Sequence, residues 1–362
     1  MPETRSFPGK IERVEADHDN EEKEPGPGRP EIIQTHLLAH RSKQTVRKSP
    51  EIQAIWVSGR GNKTDAINDL ITTCKSTKYH HVVVIFVDIE AAFDSLWWPY
   101  VLREFKDQNC PKDVFRATAS YLRDREVLLI DGASQARRKQ ERGCPQGSVL
   151  GPTFWIVAFN SLLLSGKKGV VPIAYADDLA IIVGGNTVAA LENTALSVIG
   201  TISQWCAKTK IKIAKGKTTC LLAKGISKGT VQIRYVEGDL IEVKGSAKYL
   251  GVWVDSRLKF HTHCQKVGEK AKNNMSKFRA IAKASWGLRG KDLLSIYRAI
   301  FVPTVTYAAG ALASRTAKKD MSRLATAQRS ALLVATRAYS TVSGPTLLMI
   351  AGVQRIQRKL ET

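Results

Sequence analysis

Apolar residues in this chain gather in short runs separated by turn residues, and two of those runs meet acids. His81 is followed by Val82-Val83-Val84-Ile85-Phe86-Val87, six consecutive β-branched or aromatic residues. That run predicts a strand buried on both faces, and it closes on Asp88. Further on, Val171, Ile173 and Ala174 precede Tyr175-Ala176-Asp177-Asp178, and Leu179-Ala180-Ile181-Ile182-Val183 follow. Two apolar runs around an acid pair predict a hairpin with carboxylates at its tip.

Helical spacing places the other elements. Residues 65–75 put Ala66, Ile67, Leu70 and Ile71 on one helical face, and residues 98–108 read as a second helix. Pro152 suits the first turn of a helix through residues 154–164. Asn186 or Thr187 can cap a helix whose apolar face is Leu191, Ala195, Val198, Ile199, Ile202 and Trp205. Val127 to Ile130 reads as a strand with Asp131-Gly132 as its turn, and further strands are expected near Leu221, Ile233 and Val252. From Cys264 onward the pattern is helical and basic, and no internal repeat is present.

Two charges beside a hydrophobic sheet are costly unless compensated, and a divalent cation is a common compensation. Asp88, at the end of a separate buried strand, adds a third carboxylate. Together they form the pattern of a two-metal nucleotidyl-transfer site. The plainer alternative is a set of ordinary strand-end and turn acids, since Asp is frequent in turns. Glycines at 143, 147 and 151 let a loop backbone approach a ligand closely.

Composition limits the choices further. A chain of 362 residues can bury a large core and hold two or more subdomains. The net charge is +22, and from Ser256 on there are 20 Lys/Arg against 4 Asp/Glu. Such a region could grip a polyanion, although membrane or ribosome binding and a merely solvated basic face share the composition. No apolar stretch of 18 or more residues and no signal peptide are evident, which predicts a soluble intracellular protein with no membrane partner. The six cysteines show no CxxC spacing and read as reduced thiols. His261-Thr262-His263-Cys264 has no second ligand pair at finger spacing, which argues against zinc. Residues 1–50 are polar and mixed in charge, with a Gly/Pro stretch at 25–30, the composition of a disordered segment.

Three segments resemble the reverse transcriptase of non-LTR retrotransposons. They are Phe86-Val87-Asp88-Ile89-Glu90-Ala91-Ala92-Phe93-Asp94, Gly143-Cys144-Pro145-Gln146-Gly147-Ser148-Val149-Leu150-Gly151-Pro152 and Tyr175-Ala176-Asp177-Asp178. Asp94-Ser95-Leu96-Trp97-Trp98-Pro99, Tyr249-Leu250-Gly251-Val252-Trp253 and Phe301-Val302-Pro303-Thr304-Val305-Thr306-Tyr307 narrow the likeness to arthropod type-one elements that insert into ribosomal RNA genes. The resemblance covers roughly residues 54–353. It implies an α+β right-hand polymerase with a palm sheet, partial fingers and a helical thumb. The domains expected are a degenerate or disordered segment over 1–53, fingers and palm over 54–255, and a basic helical thumb and C-terminal region over 256–362.

The implied activity is RNA-directed DNA polymerisation: nucleotidyl transfer extending a DNA primer, or nicked target, on an RNA template. The substrates are deoxynucleoside triphosphates and the cofactor two Mg²⁺ ions. Asp88 and Asp177 are implied as bridging metal ligands, with Asp178 and the Ile89 carbonyl as further ligands. Asp178 stands behind the other two because neighbouring strand residues face opposite ways. Lys217 is implied as proton donor or charge clamp on pyrophosphate. Phe93 is implied to exclude a ribose 2′-hydroxyl, and Gln146 and Gly147 to contact the incoming nucleotide. Tyr249 and Gly251 would support the primer end, and Arg289 and Arg298 would touch the nucleic-acid backbone.

Complete elements of this kind add an endonuclease domain upstream, which is not expected within this chain, so a truncated Pol polyprotein is implied. Target-primed synthesis implies the nucleus, with the cytoplasm as the other compartment. The family also carries part of its fingers ahead of Trp56, where Arg29-Pro30 only faintly echoes its motif. That departure keeps a second reading open, a truncated inactive remnant that only binds nucleic acid. A third, an intron-encoded maturase, lacks support from the type-one features.

Overall fold

The structure is a computed structural model that describes residues 62–361 apart from 133, 145–146, 163–166, 226–230 and 283–286. The expectations for residues 1–53 and for Gln146 therefore lie outside the described residues. Contacts divide the chain into two compact units. Among the described residues one comprises Ala91–Ser161 and Lys208–Ile211, and the other comprises residues 62–90, Leu162–Ala207 and residues 212–361. In chain order the strands are β1 (His81–Val87), β2 (Ile89–Glu90), β3 (Glu126–Asp131), β4 (Ser134–Lys139), β5 (Val170–Tyr175), β6 (Asp178–Gly185), β7 (Lys212–Ile213), β8 (Thr219–Lys224), β9 (Glu242–Lys244), β10 (Ser246–Tyr249) and β11 (Val252–Asp255).

The larger unit is built on a five-stranded sheet of order β5-β6-β1-β8-β9. The apolar run of β1 is its middle strand, antiparallel to both β6 and β8, while β5 extends β6 antiparallel and β9 joins β8 in parallel. Alternation divides β1 between two faces. Val82, Val84 and Phe86 share a core with Ala180, Ile182 and Leu221, with Ala66, Ile67, Leu70 and Ile71 of the helix Lys63–Ser76, and with Tyr249 and Val252. Val83, Ile85 and Val87 are buried on the opposite side.

The caps explain why the helices begin where they do. Asn62 accepts from the Asp65 backbone while Asp65 reaches back to the Asn62 backbone, a reciprocal capping box. Thr187 Oγ1 accepts from the Ala190 backbone at the start of the helix Val188–Thr209. At the end of β6 the chain must be glycine: a Cβ on Gly185 would stand 2.7 Å from the Leu191 backbone nitrogen, and one on Gly184 2.4 Å from the Tyr79 ring.

Two expectations change. The strand expected near Ile233 is only an isolated bridge between Arg234 and Leu240, because the segment turns back on itself through Tyr235–Asp239. The helical run Gly290–Arg315 does contain an 18-residue window of mean hydropathy 1.2, only 28% of it buried, so one stretch is long and apolar enough to cross a membrane by length and composition. Tyr297, Phe301 and Val305 of this run are buried in the core of the C-terminal helices, with Met275, Leu324 and Leu332, whereas Tyr307 is partly exposed. Tyr297–Phe301 forms a π-helical turn, and Pro303 follows in the helix Val302–Thr306. Pro303 has no N–H to continue the helical ladder.

The smaller unit packs the helices Trp98–Asp107, Lys112–Leu122 and Gly151–Asn160 around aromatic contacts, with Phe154 6.3 Å from Phe105 and 6.0 Å from Tyr121. Its β3–β4 hairpin is a two-stranded ribbon exposed along nearly its whole length.

Candidate active site

β5 and β6 form the expected hairpin. Tyr175 pairs with Asp178, so Ala176 and Asp177 make the two-residue turn, with Ala176 in the left-handed region at φ 55°. β1 runs antiparallel to β6 with Val87 opposite Leu179. The ladder ends at Val87–Leu179, so Asp88 leaves the end of β1 where β6 begins at Asp178, and the two carboxylates feel each other's charge. Asp177 projects from the tip beside them. Close packing around its carboxyl, then the negative charges of Asp177 and Asp88, raise Asp178 above the usual carboxylate range, although its side chain still reaches solvent. Lys63 acts in the opposite sense on the same carboxyl. Its Nζ lies 5.9 Å from the centre of the Tyr175 ring. Lys63 was not expected at the site; its only sequence signal is its place at the start of the helix that packs behind β5.

Asp88 is held by its backbone. Its carbonyl accepts from Ala214 N at 2.8 Å, and its N–H donates to Thr218 Oγ1 at 3.2 Å. Lys217 N and Thr218 N both donate to the Ala214 carbonyl, so residues 214–218 form a tight turn docked on the end of β1. That turn brings Lys217 Nζ to 3.7 Å from Asp88 Oδ2, with the lysine side chain 78% exposed. An ion pair so exposed adds little stability, so its place beside the carboxylates is what matters. The sequence reading missed Thr218, a buried hydroxyl within a polar turn. Ile89 is buried and pairs with Ile213 in the short β2–β7 ladder.

The turn that the resemblance assigns to primer support is built differently from what its residue types imply. The Tyr249 ring is buried 5.3 Å from Phe86, its hydroxyl donates to the Ile173 carbonyl, and burial pushes its ionisation up. Tyr249 is thus a core residue under the β5–β6 hairpin. The turn itself is Leu250–Gly251, with φ 48° and 82°. Tyr307, also missed in the sequence, seats it: its hydroxyl donates to the Leu250 carbonyl at 2.7 Å, and its ring leaves no room for a Cβ on Gly251. Arg289 is paired with Asp292 one turn along its own helix, and Arg298 is exposed.

In the smaller unit the Phe93 ring lies 5.4 Å from Trp155, and its carbonyl accepts from Cys144 N, which ties it to the glycine-containing loop. Gly147 in that loop has φ 82°, a conformation that favours glycine. Burial pushes the Cys74, Cys144, Cys206 and Cys220 thiols up to about 12, so they are protonated at neutral pH.

The donors fit a hard divalent cation in kind, being carboxylate oxygens whose mutual repulsion a cation would relieve. Among the described residues no three His, Cys, Asp or Glu side chains converge closely enough to form a ligand set. The carboxylates would have to close on an ion by side-chain rotation.

A mixed sheet whose central strand ends in one carboxylate beside a hairpin tipped by two more is the palm of a right-hand polymerase with α+β architecture. The chain belongs to the reverse transcriptase (RNA-dependent DNA polymerase) family, which it matches over residues 30–254. It is 31% identical over 238 residues to the retrovirus-related Pol polyprotein of the type-1 retrotransposable element R1 of Bradysia coprophila, covering 65% of this chain and 23% of that protein. It is 28% identical over 291 residues to a putative 115 kDa protein of the type-1 element R1DM of Drosophila melanogaster, covering 80% of this chain and 28% of that one. The chain thus spans about a quarter of these relatives. A Candida albicans telomerase structure aligns at TM-score 0.44 and 11% identity, over 89% of this chain and 57% of that one, too loosely to carry weight.

Proposed function

We propose that this chain is the polymerase region of a non-LTR retrotransposon, extending a DNA primer on an RNA template. The observation that carries this reading is the end of the β1–β6 ladder, where Asp88 follows Val87 and Asp178 precedes Leu179 with Asp177 at the adjoining turn, close enough that the charges act on one another. Family membership and the type-1 relatives support it. Reverse transcriptases generally use divalent metal ions, and here Asp88, Asp177 and Asp178 would hold two Mg²⁺. Bound there, the ions would supply Lewis-acid stabilisation of the reacting phosphate and of the attacking and leaving oxygens.

The chain's own groups do the rest. The turn at residues 214–218 fixes the end of β1 and so orients Asp88. Lys217 holds a mobile positive charge beside Asp88, suited to neutralising or protonating pyrophosphate as it leaves. The Leu250–Gly251 turn offers backbone groups, rather than the Tyr249 ring, to a primer end. Arg298 is free to meet a phosphate, while Arg289 would first release Asp292. Target-primed use of such an enzyme would place it in the nucleus.

Primer extension on an RNA template with Mg²⁺ and deoxynucleotides tests this reading. Extension that disappears in Asp88→Asn supports it. Binding of primer-template without any extension supports instead the remnant that only binds nucleic acid.

A further inference from the structure

The β3–β4 ribbon lies outside every role assigned above. All six residues of β4 and five of six in β3 are exposed. Val127, Leu129 and Ile130 are 48%, 64% and 45% exposed, unusual for three neighbouring apolar residues. Cross-strand partners share a face. Val127–Arg138 and Leu129–Ala136 therefore lie on one face, and Leu128–Arg137 and Ile130–Gln135 on the other. Each face carries an arginine toward the base, opposite Val127 or Leu128, and Leu129 or Ile130 further out, while the tip is polar, with Asp131–Ser134 on the first face and Gln135 on the second; Lys139 joins Arg137 and faces Glu126. Among the described residues Arg137, Arg138 and Lys139 make no ion pair. The ribbon's two acids, Glu126 and Asp131, stand at its two ends. A lone two-stranded ribbon is marginal in water and gains from a partner. Its root is anchored, since the Arg125 guanidinium stacks on the Tyr121 ring and bonds the Tyr121 carbonyl.

We propose that this ribbon docks in the major groove of B-form duplex DNA. A groove ~12 Å wide admits a two-stranded β-ribbon, whereas the A-form RNA major groove is too narrow for side chains to read. The charge distribution fits an entry tip first. Leu129 and Ile130 can meet thymine methyl groups, while at the polar tip Gln135 can pair with an adenine edge and Asp131 can accept from a cytosine amino group. Arg137 and Lys139 on one face and Arg138 on the other meet the phosphates that flank the groove on its two sides. Two residues along a strand span ~7 Å, so Leu129 stands beyond the Val127–Arg138 pair by about the ~8.5 Å depth of the groove. A protein partner would call for an apolar face on one side and charge on the other, which the ribbon lacks. The inference goes beyond the polymerase reading and needs none of the carboxylates.

The test uses the full chain and a hairpin-capped B-form DNA duplex, which offers no primer end, followed by fluorescence anisotropy across a salt series. The triple variant R137A/R138A/K139A should bind at least about tenfold more weakly near ~100 mM salt, with a log–log salt slope shallower by roughly two to three. Leu129→Ser should weaken duplex binding with the slope unchanged. An unchanged unfolding midpoint shows that both variants are folded. The proposal falls if the triple variant binds the capped duplex as the parent does. It falls equally if the loss is the same on an A-form RNA duplex, or if Leu129→Ser alters only the sedimentation state. Loss of duplex binding in a chain that never extends a primer would leave the ribbon standing and remove the polymerase reading.

Discussion

Replacing Asp178 by asparagine removes one of three neighbouring negative charges. Because its carboxyl sits above the usual range, the folded chain binds that proton more readily than the unfolded one. The charge therefore costs stability that is lost as pH rises from the ordinary carboxylate value through the raised one. Asp178→Asn should raise the unfolding midpoint at pH 7 without metal, modestly because solvent screens the charge, and should lower primer extension. His263 titrates the other way. Burial lowers it from 6.5 to about 4, and its ring accepts from the Trp253 backbone. Between those values the unfolded state binds more protons, so stability falls as pH drops through that window, by roughly 2–3 kcal/mol at pH 4.5. Thermal melts of His263→Gln against the parent at pH 7 and pH 4.5 check this, since the variant should lose less on acidification.

At the scale of elements, the hairpin of β10 and β11 depends on one glycine and one hydroxyl. Gly251→Ala combines a positive φ with a Cβ 3.0 Å from Tyr307 Cε1 and should cost about 1–2 kcal/mol. Tyr307→Phe leaves the Leu250 carbonyl without its donor and should cost ~1 kcal/mol by denaturant titration. If the turn supports the primer end, both variants should raise KM for primer-template more than they lower kcat. Elements of this kind differ in how far a sequence exposes them. β1, the β5–β6 hairpin and the helix Lys63–Ser76 were legible because burial writes itself as apolar runs and helical spacing. β4 was not, since Ser134–Lys139 is exposed on both faces and no face had to be apolar. The two-residue β2–β7 ladder and the parallel β9 are set by partners distant in sequence. The site divides the same way: its carboxylates were legible, whereas Thr218, Lys63 and Tyr307 act through contacts that only the fold creates.

At the scale of the molecule, 20 Lys/Arg against 4 Asp/Glu from Ser256 on should make binding to any nucleic acid fall steeply with salt. The helices bearing that charge pack around their own core of Tyr297, Phe301 and Leu332, so the basic groups sit on a folded support. The polymerase reading depends on the carboxylates at Asp88, Asp177 and Asp178 being a working centre, because a basic fold alone would bind nucleic acid without changing it. The most direct measurement is single-nucleotide addition to a DNA primer annealed to an RNA template, with Mg²⁺, for the parent chain and for Asp177→Ala. The parent should add deoxynucleotide, and the variant should be slower by roughly 10³-fold, the effect of losing several kcal/mol of transition-state stabilisation. Equal addition by both proteins would contradict the assignment, and no addition by a parent chain that binds the duplex would contradict the function.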